Sequence, residues 1–272
     1  MGKQHIKTTI FFLASFILIL FYHYGITTSN VIYYALFSFA VIISSTVPDI
    51  DLTDKQQGLK IWNKIMYLFY KIFTLPIKII FRKNSENIIS HRKIFHSFIG
   101  VMIYLAFIII FLFLIYIGYN YISFVISTGK FVLNPLKYIK PFYSLIVSNY
   151  TYVYYFLLGS VLGFISHLVE DTATFDGINY LGFGKYKLKG VLITTYKNYY
   201  TDENGNQFRL RFWKKSGFGV IMLSAFSILF DIIFLYFKIY LIITNIYILF
   251  AIFFLFILFF EVLFLRVRIF KF

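Results

Sequence analysis

The chain has no cysteine. Disulfides and thiolate ligands are therefore excluded, and any metal site must be built from nitrogen and oxygen. Proline is scarce, with four in 272 residues, so little interrupts long helices. Acidic residues are scarce as well. Eleven Asp+Glu stand against 26 Lys+Arg, giving a formal charge of +15. No small-residue cleavage site follows the first apolar run, which reads as a retained helix rather than a removed signal peptide.

What fills the chain instead is apolar. It is 60% hydrophobic and 23% aromatic, with 37 Phe and 24 Tyr, and only 14% of it is charged. No soluble domain of this size needs so much apolar surface, and the runs approach the roughly 20 residues that cross a bilayer. The expected fold is an all-α polytopic membrane protein. About six transmembrane helices are expected, near 9–22, 30–47, 97–118, 150–169, 217–237 and 241–265, the last two joined by a tight turn near Lys238.

The basic residues are unevenly spread. With the N-terminus in the cytoplasm, segments 1–8, 48–96, 170–216 and 266–272 hold 22 of the 26 Lys+Arg. The outer segments hold only Lys130, Lys137, Lys140 and Lys238. This asymmetry predicts a multi-pass protein of the inner or plasma membrane with both termini cytoplasmic. Basic flanks against an anionic leaflet account for the charge, so membrane lipid is the expected partner and nucleic acid is not.

Three connecting segments have their own character. Lys60, Lys64, Lys71 and Lys78 share one helical face within 59–81, predicting an interfacial amphipathic helix, with a re-entrant segment as the alternative. Segment 185–213 is rich in β-formers around Asn204-Gly205 and predicts a small cytoplasmic β-hairpin. The outer stretch 119–149 has little periodicity and reads as irregular. The whole reads as a single membrane-embedded domain, 1–272, with the hairpin as an insert and 217–265 as a C-terminal helical pair.

Three of the five histidines and six of the eleven acidic residues gather in three clusters: PDID at 48–51 with Asp54 close behind, HRKIFHS at 91–97, and HLVEDTATFDG at 167–177. Such groups are costly beside lipid, and where they gather at span ends they mark a functional site by default. All three fall on the cytoplasmic side in this topology, so they can converge. His167 and Asp171, four apart, share a helix face and can grip one ion; a helix-end polar pair is the plainer reading. Asp49 and Asp51 follow Pro48, and in extended backbone they point the same way, where two carboxylates repel unless a cation separates them. A solvated turn with a capping Asp is the alternative. His91 is expected in the loop and His96 at the start of the third span. Neutral imidazole is a good metal ligand, and Arg92 can bind an anionic oxygen bidentately. An ordinary basic flank explains Arg92 and Lys93 but not the two histidines. His5 and His23 read as bystanders. Asp231 is paired in this reading with Lys238, and Glu261 is given no chemistry.

Together the clusters resemble the YdjM family of inner-membrane proteins, described as metal-dependent hydrolases. The pattern is PDxD after one span, HRxxxHS before the next, and a span ending HxxxD with a nearby Gly. Here these are Pro48-Asp49-Ile50-Asp51, His91-Arg92 through His96-Ser97, and His167 through Asp171 with Gly177. Order and spacing match across about 40–180. Phe95 stands where the family usually has Thr, and the last two spans lie beyond the matching motifs.

The resemblance implies a membrane-bound metal-dependent hydrolase. Asp49, Asp51, His91, His96, His167 and Asp171 would hold one or two divalent ions, zinc or manganese first. Arg92 would hold a phosphate, and Glu170 or Asp176 would relay protons. The depth of the site suggests a phosphoester in a lipid or lipid-linked substrate. A type-2 phosphatidate phosphatase fits less well, since HxxxD is present without PSGH or KxxxxxxRP. A second reading is non-catalytic: a metal-bound or hydrogen-bonded polar knot that supports a regulatory partner protein, in line with the family's association with the repressor LexA. A transporter is a third, weakened because transport sites lie near the bilayer midplane.

Overall fold

The computed structural model describes residues 2–49, 94–130, 134–174, 177–181, 186–192, 199–201, 207–209 and 216–271, with seven positions between 67 and 79. Its helices are α1 Gly2–Tyr24, α2 Thr28–Ser44, α3 Phe98–Thr128, α4 Ile139–Ser148, α5 Tyr150–Thr172, α6 Ser216–Tyr236 and α7 Ile246–Phe264. Five of them (α1, α3, α5, α6 and α7) are long and apolar enough to cross a membrane. The expected six is thus corrected by one. α2 is equally apolar but has 17 residues, because the chain turns at Ser45 and Thr46 ahead of Pro48.

α1 is the central element. Phe12, Phe16, Ile19 and Leu20 are fully buried among Phe37 and Val41 of α2, Phe230 and Phe234 of α6, and Phe250 and Phe253 of α7. The Phe16 ring meets Phe37, Phe250 and Phe253 edge-on, the arrangement that the ring quadrupole favours. Ser15 of α1 bonds Ser227 of α6 at 2.7 Å and also bonds Asp231. The expected partner of Asp231 was Lys238. Lys238 instead occupies the left-handed break after α6, ahead of a single helical turn at Ile239–Ile242.

α2 and α5 cross closely through Gly159 and Gly163. A Cβ on Gly159 would stand 2.5 Å from the Phe37 carbonyl oxygen, and one on Gly163 2.2 Å from that of Val41. Small residues four apart let two helix backbones approach within a membrane. α3 packs outside this pair, setting Val101, Tyr104, Phe107 and Ile108 against Phe164 and Leu168 of α5.

The described residues of 119–149 are largely helical rather than irregular. α3 has 31 residues, about 46 Å of helix, so it runs past a hydrocarbon core of roughly 30 Å. It stops at Gly129, whose φ of 66° ends the helix, and Asn134 then caps a 3-10 turn that leads into α4. The β structure is only partly the expected hairpin. β2 Tyr199–Thr201 pairs antiparallel with β3 Gln207–Arg209 across the Asn-Gly segment. β1 Tyr186–Lys189 pairs instead with β4 Arg268–Lys271 near the chain's other end. The interfacial helix expected at 59–81 lies largely outside the described residues; Tyr67 and Tyr70, which are described there, pack against the α3–α5 cluster.

Candidate metal centre

The start of α1, the turn after α2, the turn before α3 and the last two turns of α5 meet at one end of the bundle. Asp49 sits in a 3-10 turn with Pro48, not in the extended backbone expected for it, and is 1% exposed. His96 closes the 3-10 turn Ile94–His96, and Ser97 then caps α3 by accepting the Gly100 N–H. The Phe98 N–H donates to the Tyr180 carbonyl at 2.8 Å, tying this turn to the segment after α5. Phe95, where the family pattern has Thr, rests its ring on Tyr70. His167, Glu170 and Asp171 occupy the last two turns of α5, and all three are buried.

The three histidines share one pattern. His167 Nδ1 donates to the Ser45 carbonyl at 2.7 Å, His96 Nδ1 to Asp171 Oδ2 at 2.8 Å, and His5 Nδ1 to Glu170 Oε2 at 2.6 Å. Each ring thereby directs Nε2 inward. His167 Nε2 lies 3.6 Å and His96 Nε2 3.8 Å from Asp49 Oδ1, while His5 Nε2 lies 3.8 Å from Asp49 Oδ2. His167 Nε2 is also 3.4 Å from Asp171 Oδ2 and makes no hydrogen bond among the described residues.

This donor set fits a divalent cation. An imidazole whose Nδ1–H is spent on a carbonyl presents a lone pair at Nε2, and here that lone pair faces two carboxylates. Lone pair against anion is repulsive unless a proton or a metal cation lies between them. Metal-binding histidines characteristically anchor the far ring nitrogen on an oxygen, as all three do here. Bonds of about 2.0–2.2 Å separate two ligands of one ion by no more than roughly 4.4 Å, so the spacings are compatible. Two triads suffice for an ion by position: Asp49, His96 and His167, and His5, His167 and Asp171.

Burial opposes ionisation of Asp49, but positive charge on the imidazoles around it, His167 first, outweighs burial and holds the carboxyl below its ordinary range; a divalent ion in the same place acts in the same sense. Burial also holds the His96 imidazole below its ordinary value, against the pull of Asp171, which keeps it in the neutral form that binds metals.

Of the expected site residues, Asp49, His96, His167, Asp171 and Glu170 come together. Asp51, His91, Arg92 and Asp176 lie outside the described residues. Glu170 accepts from His5 and, at 3.5 Å, from Thr9 of α1. His5, read from the sequence as a bystander, is part of the cluster. Its weak signal was a lone imidazole in the first turn of an apolar helix that begins on the same side as the motifs. Glu261, near the end of α7, is fully buried and accepts a hydrogen bond from Thr172, so it also belongs to this end of the bundle.

A family model described as YdjM inner membrane protein matches residues 7–266. The match takes in the last two spans, which the three motifs had left out. No curated protein and no solved structure matches the chain.

Proposed function

The chain belongs to the YdjM family of inner membrane proteins, and we propose that it acts there as a metal-dependent hydrolase of a phosphoester in a lipid or lipid-linked substrate, working at the cytoplasmic face. The observation that carries this reading is the convergence of three anchored imidazoles on Asp49. A divalent ion bound there supplies Lewis acidity and makes a water molecule acidic enough to attack near neutral pH.

The protein's own groups do the rest. Asp49, His96, His167 and Asp171, with Asp51 and His91 as further ligands, hold the metal. The Ser45 carbonyl and Asp171 fix the tautomers of His167 and His96. Arg92 grips an anionic phosphate oxygen with its planar fork, and Asp176 takes up and returns the proton. The placement of the cluster at the ends of spans suits a substrate whose reactive group lies at headgroup depth.

A second reading draws on the burial of the cluster, in which Asp49, His96, His167 and Asp171 are each at most 1% exposed. There the same residues form a structural metal knot that supports a regulatory protein partner. The deciding experiment is elemental analysis of the purified protein, followed by assays of soluble and lipid phosphoesters with wild type and His167→Ala. Bound metal with hydrolysis lost in the variant is expected. Stoichiometric metal with no His167-dependent turnover overturns the enzyme and leaves the knot. No divalent metal near neutral pH overturns both.

A further inference from the structure

We infer that His5 ligates a second metal ion, that Asp49 is the carboxylate shared between the two ions, and that Glu170 is the positioning residue that aims His5. The inference rests on the metal-centre reading above and specifies what that centre contains.

Asp49 divides its oxygens. Oδ1 faces His96 Nε2 and His167 Nε2, whereas Oδ2 faces His5 Nε2 at 3.8 Å. A carboxylate with imidazoles on both oxygens is arranged as a bridge. The His5 ring stacks on His167 with centroids 4.0 Å apart and planes 26° from parallel. Both rings direct Nε2 toward Asp49, each to a different one of its two oxygens.

His5 is also held as ligands are held. Its Nδ1 donates to Glu170 Oε2 at 2.6 Å, and Thr9, one turn along α1, donates to Glu170 Oε1 at 3.5 Å. Residues four apart on one face of α1 thus engage both oxygens of one carboxylate. Glu170 so occupied suits orienting an imidazole better than relaying protons, the role its place in the motif suggested. The rival arrangement is a His5 imidazolium paired with Glu170 through Nδ1 and with Asp49 through Nε2, and the ion count below distinguishes it from a ligand. His5 precedes the stretch covered by the family model, and none of the three motifs contains it.

The test is an ion count on the full chain in detergent, loaded with manganese and then freed of excess ion. Wild type should retain about two ions with the spectroscopic signature of a coupled manganese pair. His5→Ala should retain about one and lose the coupled signal, and His5→Asp, which restores an oxygen ligand, should recover both. Glu170→Gln should weaken the second ion by roughly 10–100-fold while leaving the first. His23→Ala, at the far end of α1, should match wild type. If His5→Ala does not fold, the count for His5→Asp against His23→Ala decides: a coupled pair supports the inference, and a single ion or none overturns it. Wild type holding one ion, or His5→Ala holding as many as wild type, overturns the inference and leaves the metal centre standing. Wild type holding none overturns both.

Discussion

Gly163 of α5 lies against Val41 of α2 so closely that a Cβ there would stand 2.2 Å from the Val41 carbonyl oxygen. This crossing fixes the distance between α5, which carries His167, and the end of α2, where the Ser45 carbonyl accepts the His167 proton. Gly163→Ala should therefore act on stability and site together. It should lower stability by about 1–3 kcal/mol, the usual cost of overpacking, and weaken metal binding in parallel. Thermal unfolding in detergent and a metal titration check both. Unchanged metal affinity beside lowered stability would separate the crossing from the site.

Metal removal should destabilise the protein. A ligand present at 100 times its Kd stabilises the folded state by about 2.7 kcal/mol. Chelation should lower the melting temperature of wild type by more than that of His167→Ala, because the variant has lost a ligand of the ion that faces Asp49 Oδ1. A chelator effect of equal size in the two proteins would place the stabilising ion elsewhere.

Thr172→Val should be costly for its size. The hydroxyl donates to Glu261, which is fully buried at the end of α7. Leaving such a group without its donor costs about 1–3 kcal/mol. Thr172→Ser keeps the donor and should stay near wild type. Denaturation midpoints of the two variants distinguish a needed hydrogen bond from a tolerated one.

Single cysteines introduced into this cysteine-free chain should report its orientation. Thr128→Cys ends α3 on the side away from the cluster, and Tyr186→Cys lies on an exposed strand residue on the cluster's side. A membrane-impermeant thiol reagent applied from outside should label the first and not the second. The reverse pattern would turn the protein over and place the cluster on the outer face.

The sequence was informative where local chemistry decides. Long apolar runs become helices whatever their neighbours, and all six expected spans coincide with helices, although α2 is short. Asp49, His96, His167 and Asp171 stood out because polar residues at span ends need a reason. What escaped was non-local. His5 meets Glu170 across 165 positions of sequence, and a single imidazole near the start of a helix carries no spacing to interpret. The YKLK strand looked like half of a hairpin with QFRLRFW, yet it pairs with Arg268–Lys271, a partner that only tertiary folding supplies. Glu261 looked like an isolated acid in an apolar span because its donor, Thr172, lies on another helix.

The cluster draws on residues from His5 in the first helix to Glu261 in the last. A chain entering the membrane in sequence order carries His5 in early, but Glu261 reaches Thr172 only once α7 is in place. The polar end of the bundle therefore stays incomplete until α7 is inserted, so its completion reports on the integration of every helix between α1 and α7.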